Sequence, residues 1–238
     1  MGFEVLRLPV APFERLLGEV RDLEAAGAGA VWLADAEGGF LEPWAALGAL
    51  AVETRTIGLG TAATNVSRRD LHTLARQVAT VAQIAPGRLE VALGAGDGGR
   101  AERIREALRL IDGVPVHVAA NARPGLRLAA ELGVGSLTQG DARGLAGVRE
   151  RNAYLDELGM RGDRLYYAAW ADERPFASPD ALREFVNTYR DAGVTRFLFG
   201  YARDAKGGRF LTRETLDAYA PLLAEWASPD DDEEVRDT

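Results

Sequence analysis

The segments TIGLGTAATN, residues 56–65, and LEVALGAGD, residues 89–97, decide how this chain is read. Each is a short apolar run that ends in small residues and then in a polar one. A buried parallel strand has this pattern where its C-terminal end opens into a site. Small side chains at that end let something flat lie against the backbone.

Working outward, the same unit recurs along the whole chain. Before the first segment, residues 3–8 read as a strand. Residues 13–26 read as a helix, because Leu16, Leu17, Val20 and Leu23 fall on one face and Gly27 follows as a stop. Residues 30–34 are a second strand, 35–41 a loop, and 42–52 an Ala/Leu-rich helix with Pro43 in its first turn. The third strand spans 57–61. A long helix over 67–84 follows, with Ser67 as its expected cap, and Pro86-Gly87 turns the chain into a strand at 89–93.

Beyond the second segment the alternation continues with helix 102–111, strand 114–119, helix 123–132, strand 134–138 and helix 142–158. Strand 165–171, helix 178–192 opened by Ser178-Pro179, strand 196–199 and helix 212–226 opened by Thr212 complete it. Eight strand–helix alternations with short connections predict a parallel sheet covered by helices, and eight such units close into a barrel. The expected fold is a compact α/β (β/α)8 TIM barrel over residues 1–227, followed by an acidic disordered tail, SPDDDEEVRDT, at 228–238.

Composition narrows the function. The net charge of −8 disfavours nucleic acid. No apolar run reaches membrane-spanning length and residues 1–12 lack a signal-peptide pattern, so a cytoplasmic, soluble protein with a small-molecule substrate is expected. Two His and no Cys remove the usual zinc and iron–sulfur ligand sets and any thiol nucleophile, and no metal site is expected. His117, on the fifth strand, reads as a structural residue facing either the core or the outer helices. Trp44 reads as packing. Gly94-Ala95-Gly96-Asp97-Gly98-Gly99 fits G-x-G-x-x-G, but no acidic residue ends the following strand, so a dinucleotide-binding open sheet is disfavoured.

Four segments, at 25–35, 42–65, 74–97 and 114–140, resemble the luciferase-like flavin and deazaflavin oxidoreductases. Within them the branch containing methylenetetrahydromethanopterin reductase is the most similar. The resemblance implies FMN or coenzyme F420 as cofactor, with hydride transfer or monooxygenation of a small organic substrate. It puts a bulge with a non-prolyl cis peptide at Ala62-Ala63, behind the cofactor ring, and implies that Thr61, Ala62, Ala63, Asn65 and Gly96 surround that ring. Asp97 is implied as the catalytic acid; by its position it also suits a helix cap. The cofactor phosphate falls to Asn121, Ala122 and Arg123, at a helix N-terminus, and to Thr138, Gln139 and Gly140. Arg123 reads equally well as a surface residue. Where deazaflavin dehydrogenases of the family carry Asp-His after the second strand, this chain has Asp35-Ala36. With that His missing, a non-catalytic flavin-binding or carrier protein is the alternative. A homodimer is the commonest assembly for such a protein.

Overall fold

The computed structural model describes residues 3–9, 11–96, 101–170, 176–201, 217–219 and 221–222. Asp97, the loop at 204–209, most of the helix expected at 212–226 and the tail at 228–238 lie outside them.

In chain order the elements are β1 (Glu4–Arg7), α1 (Phe13–Ala25), β2 (Ala30–Leu33), α2 (Pro43–Glu53), β3 (Gly58–Asn65), a 3-10 turn (Val66–Arg68), α3 (Leu71–Ile84) and β4 (Leu89–Gly94). They continue as α4 (Ala101–Leu110), β5 (Val116–Ala119), α5 (Arg123–Leu132), β6 (Gly135–Gln139), α6 (Gly144–Glu157), β7 (Arg164–Trp170), α7 (Pro179–Arg190) and β8 (Arg196–Tyr201). Each strand pairs in parallel with the next and β1 pairs with β8, so the sheet closes on itself. The expected (β/α)8 barrel is the observed architecture, and closure rules out the open dinucleotide-binding sheet. No described helix is long and apolar enough to cross a membrane.

Two local expectations are corrected. β3 runs on to Asn65 because its pairing with β4 resumes after a register shift, Thr64 opposite Leu93 and Asn65 opposite Gly94. The bulge contains the Ala62-Ala63 peptide, which is cis. Ser67 does not cap α3. It sits in the 3-10 turn, and Asp70 takes the cap by accepting the N–H of Thr73. Pro43 and Pro179 occupy first-turn positions as expected, and Ser178 accepts the N–H of Ala181.

Strand alternation sorts side chains to two faces. The outward set, including Val5, Val31, Leu59, Val91, Val118 and Phe199, packs under the helices in one large apolar cluster. The inward set builds the barrel interior in tiers. At the N-terminal ends, Arg196 forks onto Glu4 (2.7 and 3.0 Å) and onto Glu90 (2.8 and 3.0 Å). Glu4 also accepts the indole N–H of Trp32 at 2.7 Å, and His117 Nε2 lies 2.8 Å from Glu90. Trp32 fits only because Gly60 faces it: a Cβ there would stand 2.5 Å from the indole. Above this polar base lies an apolar cluster that includes Leu6, Leu137, Leu165 and Leu198.

Candidate active site at the barrel mouth

Above the leucines the inward positions shrink. β2 leads into Ala34, the β3 bulge supplies Ala62 and Ala63, β4 ends in Gly94, and β5 ends in Ala119. A Cβ built on Gly94 would lie 3.4 Å from the Ala63 Cβ and 3.9 Å from that of Ala119, so these three positions adjoin. A side chain at 94 would fill the space between them. Tyr167, from β7, packs at the edge of the same inner cluster, and burial pushes its phenol up. The mouth is therefore a shallow apolar cradle on a leucine floor, at the end of the fold where barrel sites lie.

The sequence-predicted residues fall into distinct groups. Ala62 and Ala63 line the cradle. Asn65 and Gly96 meet beside it: Gly96 has φ +66°, and a Cβ on it would come 2.6 Å from Asn65 Nδ2. Thr61 and Thr138 turn away from the mouth. Thr61 is level with Val91 and Thr138 with Tyr166, both outward residues. The Thr61 hydroxyl accepts from Thr64 at 2.8 Å, and Thr138 Oγ1 faces the Leu165 carbonyl. Both threonine side chains are buried, so only their backbone borders the site.

Asn121, Gln139 and Gly140 do come together. Asn121 Oδ1 accepts the N–H of Gln139 at 2.7 Å, and the N–H of Gly140 reaches the Tyr167 carbonyl. From Asn121 a cleft of about 390 Å³ runs between α5 and α6, lined by residues that include Ala122, Arg123, Arg143, Arg151 and Tyr154. Arg123 lies 4.8 Å from the centre of the Tyr154 ring. Arg143 and Arg151 both hold Asp141, and Arg143 in particular keeps that carboxyl well below the usual range. The helix N-terminus itself offers few amides. Pro124 has no N–H, and those of Gly125 and Leu126 go to the Ala122 carbonyl. Glu150, which also lines the cleft, pairs with Arg143 at 2.9 Å, so positive charge there comes from Arg123 more than from the helix end or from Arg143 and Arg151.

His117 is an interior residue of the base, one inward position below the mouth-lining Ala119 on the same strand, and its fit requires Gly135 opposite. Among the described residues no group of His, Asp and Glu is arranged to hold a metal ion.

Residues 4–106 match the family model of the luciferase-like monooxygenases. The family resemblance read from the sequence is matched over that part of the chain, and the fold of the whole is a (β/α)8 barrel. Among solved structures, the coenzyme F420-dependent tetrahydromethanopterin reductase of Methanopyrus kandleri superposes with a TM-score of 0.74 at 14% identity. The match covers 95% of this chain and 99% of that one. A monooxygenase of Streptomyces bottropensis, RslO1, gives 0.73 at 18% identity over 95% and 100% of the two chains. The oxygenating constituent of 3,6-diketocamphane monooxygenase from Pseudomonas putida, in complex with FMN, gives 0.71 at 15% identity over 94% and 99%. At these identities the likeness is one of fold. No curated protein matches the chain in sequence.

The cradle and the α5–α6 cleft were only partly visible beforehand. Ala119 ends a run read as a strand and Gly94 follows directly on another, while Tyr167 is the second inward residue of β7, so alternation alone places them. Arg143 and Arg151 carry no such signal among the many arginines of the chain.

Proposed function

We propose that this protein is an oxidoreductase of the luciferase-like kind, with FMN or coenzyme F420 bound in the barrel mouth and a small organic molecule as substrate. One observation carries the reading: Ala62, Ala63, Gly94 and Ala119 leave an alanine-and-glycine cradle over a leucine floor, the shape a flat heterocycle requires. The family match over residues 4–106 and the FMN and F420 dependence named for the structural neighbours support it. When bound, such a ring carries a hydride to or from a substrate, and a reduced flavin also activates oxygen.

The chain's own part is binding, orientation and exclusion of water. The leucine floor and the apolar cradle keep water from the ring's buried face. Asn65 and Gly96 border the cradle. Asn121, Gln139, Gly140 and Arg123 stand where a phosphate would enter the α5–α6 cleft, and Arg123 supplies positive charge there. Tyr167, its phenol raised by burial, keeps its proton at Oη at neutral pH. Asp97, on the sequence alone, is the proposed acid near the reacting carbon. The site serves a cytoplasmic enzyme, working as a homodimer.

One observation favours a second reading, a flavin carrier without turnover. Ala36 replaces the family His, and the neighbouring Asp35 is tied to Arg69 at 3.0 Å. The visible spectrum of the purified protein, then titration with FMN and F420 and an assay of reduction and reoxidation, separates the readings. A bound ring that turns over establishes the enzyme; tight binding without turnover establishes the carrier; no binding of either cofactor sinks both. Asp97→Asn is expected to lower turnover at unchanged cofactor affinity, and full activity in that variant removes Asp97 from the mechanism.

A further inference from the structure

β2 pairs with β3 only as far as Leu33 opposite Thr61, so the bulge beyond Thr61 has no β2 backbone beside it. A single carboxylate takes the place of the missing strand. Asp35 Oδ2 accepts the backbone N–H of Asn65 at 3.0 Å and Nε of Arg69 at 3.1 Å, while Oδ1 lies 3.0 Å from the second nitrogen of the same guanidinium. Arg69 reaches on to Glu42 at 2.8 Å, and Glu42 caps α2 through the N–H of Ala45. The segment after the bulge is gripped elsewhere too: Arg103 donates to the carbonyls of Val66 and Arg69, and Ser67 Oγ donates to that of Ala95. The side chains of Asp35 and Arg69 are 12% and 16% exposed, which makes the pair a shielded, two-pronged one rather than a surface contact.

We propose that Asp35, clamped by Arg69, is a positioning residue that sets the shape of the Ala62–Asn65 bulge and thereby the affinity and environment of the bound ring. The inference rests on reading the mouth as a flavin or deazaflavin site. It gives Asp35 a mechanical task where the family resemblance places an Asp-His pair for proton transfer. Both oxygens of Asp35 are engaged by donors that bear on the bulge, and Ala36 brings no titratable group. Holding a first layer of contacts in place from behind in this way is how sites keep sub-ångström geometry.

The test uses the full chain with Asp35→Ala, Asp35→Asn and Arg69→Gln, and with Glu24→Ala as the control. Glu24 grips the opposite end of β3, where its Oε1 accepts the N–H groups of Arg55, Thr56 and Ile57. Cofactor Kd, the visible band of the bound ring, hydrogen exchange over residues 62–66 and Tm are measured on each. Asp35→Ala and Arg69→Gln are expected to weaken whichever cofactor the wild type binds by roughly tenfold or more, to shift its band and to speed exchange at the bulge. Asp35→Asn is expected to fall between, since its amide oxygen still accepts the Asn65 N–H but gains no ion pair. Glu24→Ala is expected to lower Tm and leave Kd and band alone. Lower Tm in the Asp35 and Arg69 variants with unchanged Kd and band overturns the proposal. If Asp35→Ala does not fold, unchanged Kd and band in Arg69→Gln and Asp35→Asn overturn it equally. A wild type that binds neither cofactor overturns this inference together with the proposed function, whereas binding that the variants leave intact overturns this inference alone.

Discussion

At the base of the barrel Glu4, Trp32, Glu90, His117 and Arg196 are joined to one another by hydrogen bonds and ion pairs, while at the mouth the positions that face inward include Ala34, Ala62, Ala63, Gly94 and Ala119. Three strands contribute to both sets, so the contrast is not between good and poor strands. It lies in how far along each strand the large side chains stop. The base carries a network of hydrogen bonds and ion pairs; the mouth has only small side chains at these positions. With the proposed site at the mouth, stability is concentrated at one end and binding at the other, the division of labour expected of this fold.

The largest effect should come from the base. Arg196→Met leaves Glu4 and Glu90 without their guanidinium, and Glu4 is almost wholly buried. Removing one partner of a buried ion pair costs about 3–5 kcal/mol. Thermal and denaturant unfolding should show that loss, while the fraction still folded binds cofactor as before. A variant that unfolds normally but no longer binds would break the division between the two ends. The mouth should answer in the opposite sense. Gly94→Leu fills the space beside Ala63 and Ala119, and cofactor affinity should fall by roughly a hundredfold, about 2.7 kcal/mol, with Tm close to wild type. Unchanged affinity by titration would mean that the ring binds elsewhere.

A smaller and pH-dependent difference sharpens the same contrast. Burial works to raise both base carboxyls. For Glu90 the hydrogen bonds from His117 and Arg196 overcome it and hold the group at about 2, whereas for Glu4 burial outweighs Arg196 and Trp32 and the pKa ends above its ordinary 4.5. A lowered folded-state pKa gives stability that is present above the unfolded value and lost as pH falls through the folded one. Glu90 should therefore stabilise the fold above pH 4.5 and lose that contribution between 4.5 and about 2. Glu4 has the reverse sign: its contribution is full below 4.5 and declines as pH rises through its raised value. Unfolding measured across this range should fall less steeply with acid in Glu90→Gln than in wild type. Matching acid limbs in the two proteins would show that Glu90 is not held as the geometry indicates.

How much of this was legible in the sequence follows from the same contrast. Hydrophobic period and turn residues exposed all eight strands, because most outward faces are built of Val, Leu, Ile or Phe; β6, with Ser136 and Thr138 outward, carries the weakest such signal. The cradle was legible through the endings GTAAT and ALGAG, since small residues at the end of a buried strand have few other uses. Thr61 was placed beside the ring by the family resemblance, whereas the pleat sends Thr61 and Thr64 outward and the bulge lets two successive alanines point in. The base was missed although its signal was present: Glu4, Glu90 and Arg196 are single charges inside runs otherwise read as buried, and a charge there needs a partner. Which strands would supply the partners depends on closure of the sheet between β1 and β8, a long-range fact that no local pattern carries. Asp35 was missed as a clamp for a similar reason, because Arg69 lies 34 residues away and joins it only when β2 and β3 are neighbours.

The smallest predicted effect concerns the α5–α6 cleft and decides what kind of anion site adjoins the mouth. Because Pro124 lacks an N–H and the next two amides serve the Ala122 carbonyl, phosphate held there depends on Arg123 as a charge in a solvent-open cleft, Arg143 being paired with Asp141 and Glu150. Such contacts are worth about 1 kcal/mol or less and are screened by salt. FMN and riboflavin share one ring and differ by the phosphate, so they isolate the contribution. Arg123→Ala should weaken FMN by about fivefold at low salt, leave riboflavin unchanged, and flatten the salt dependence of FMN binding. If both ligands weaken together, Arg123 acts through its packing on Tyr154 instead, and its charge has no part in holding the phosphate.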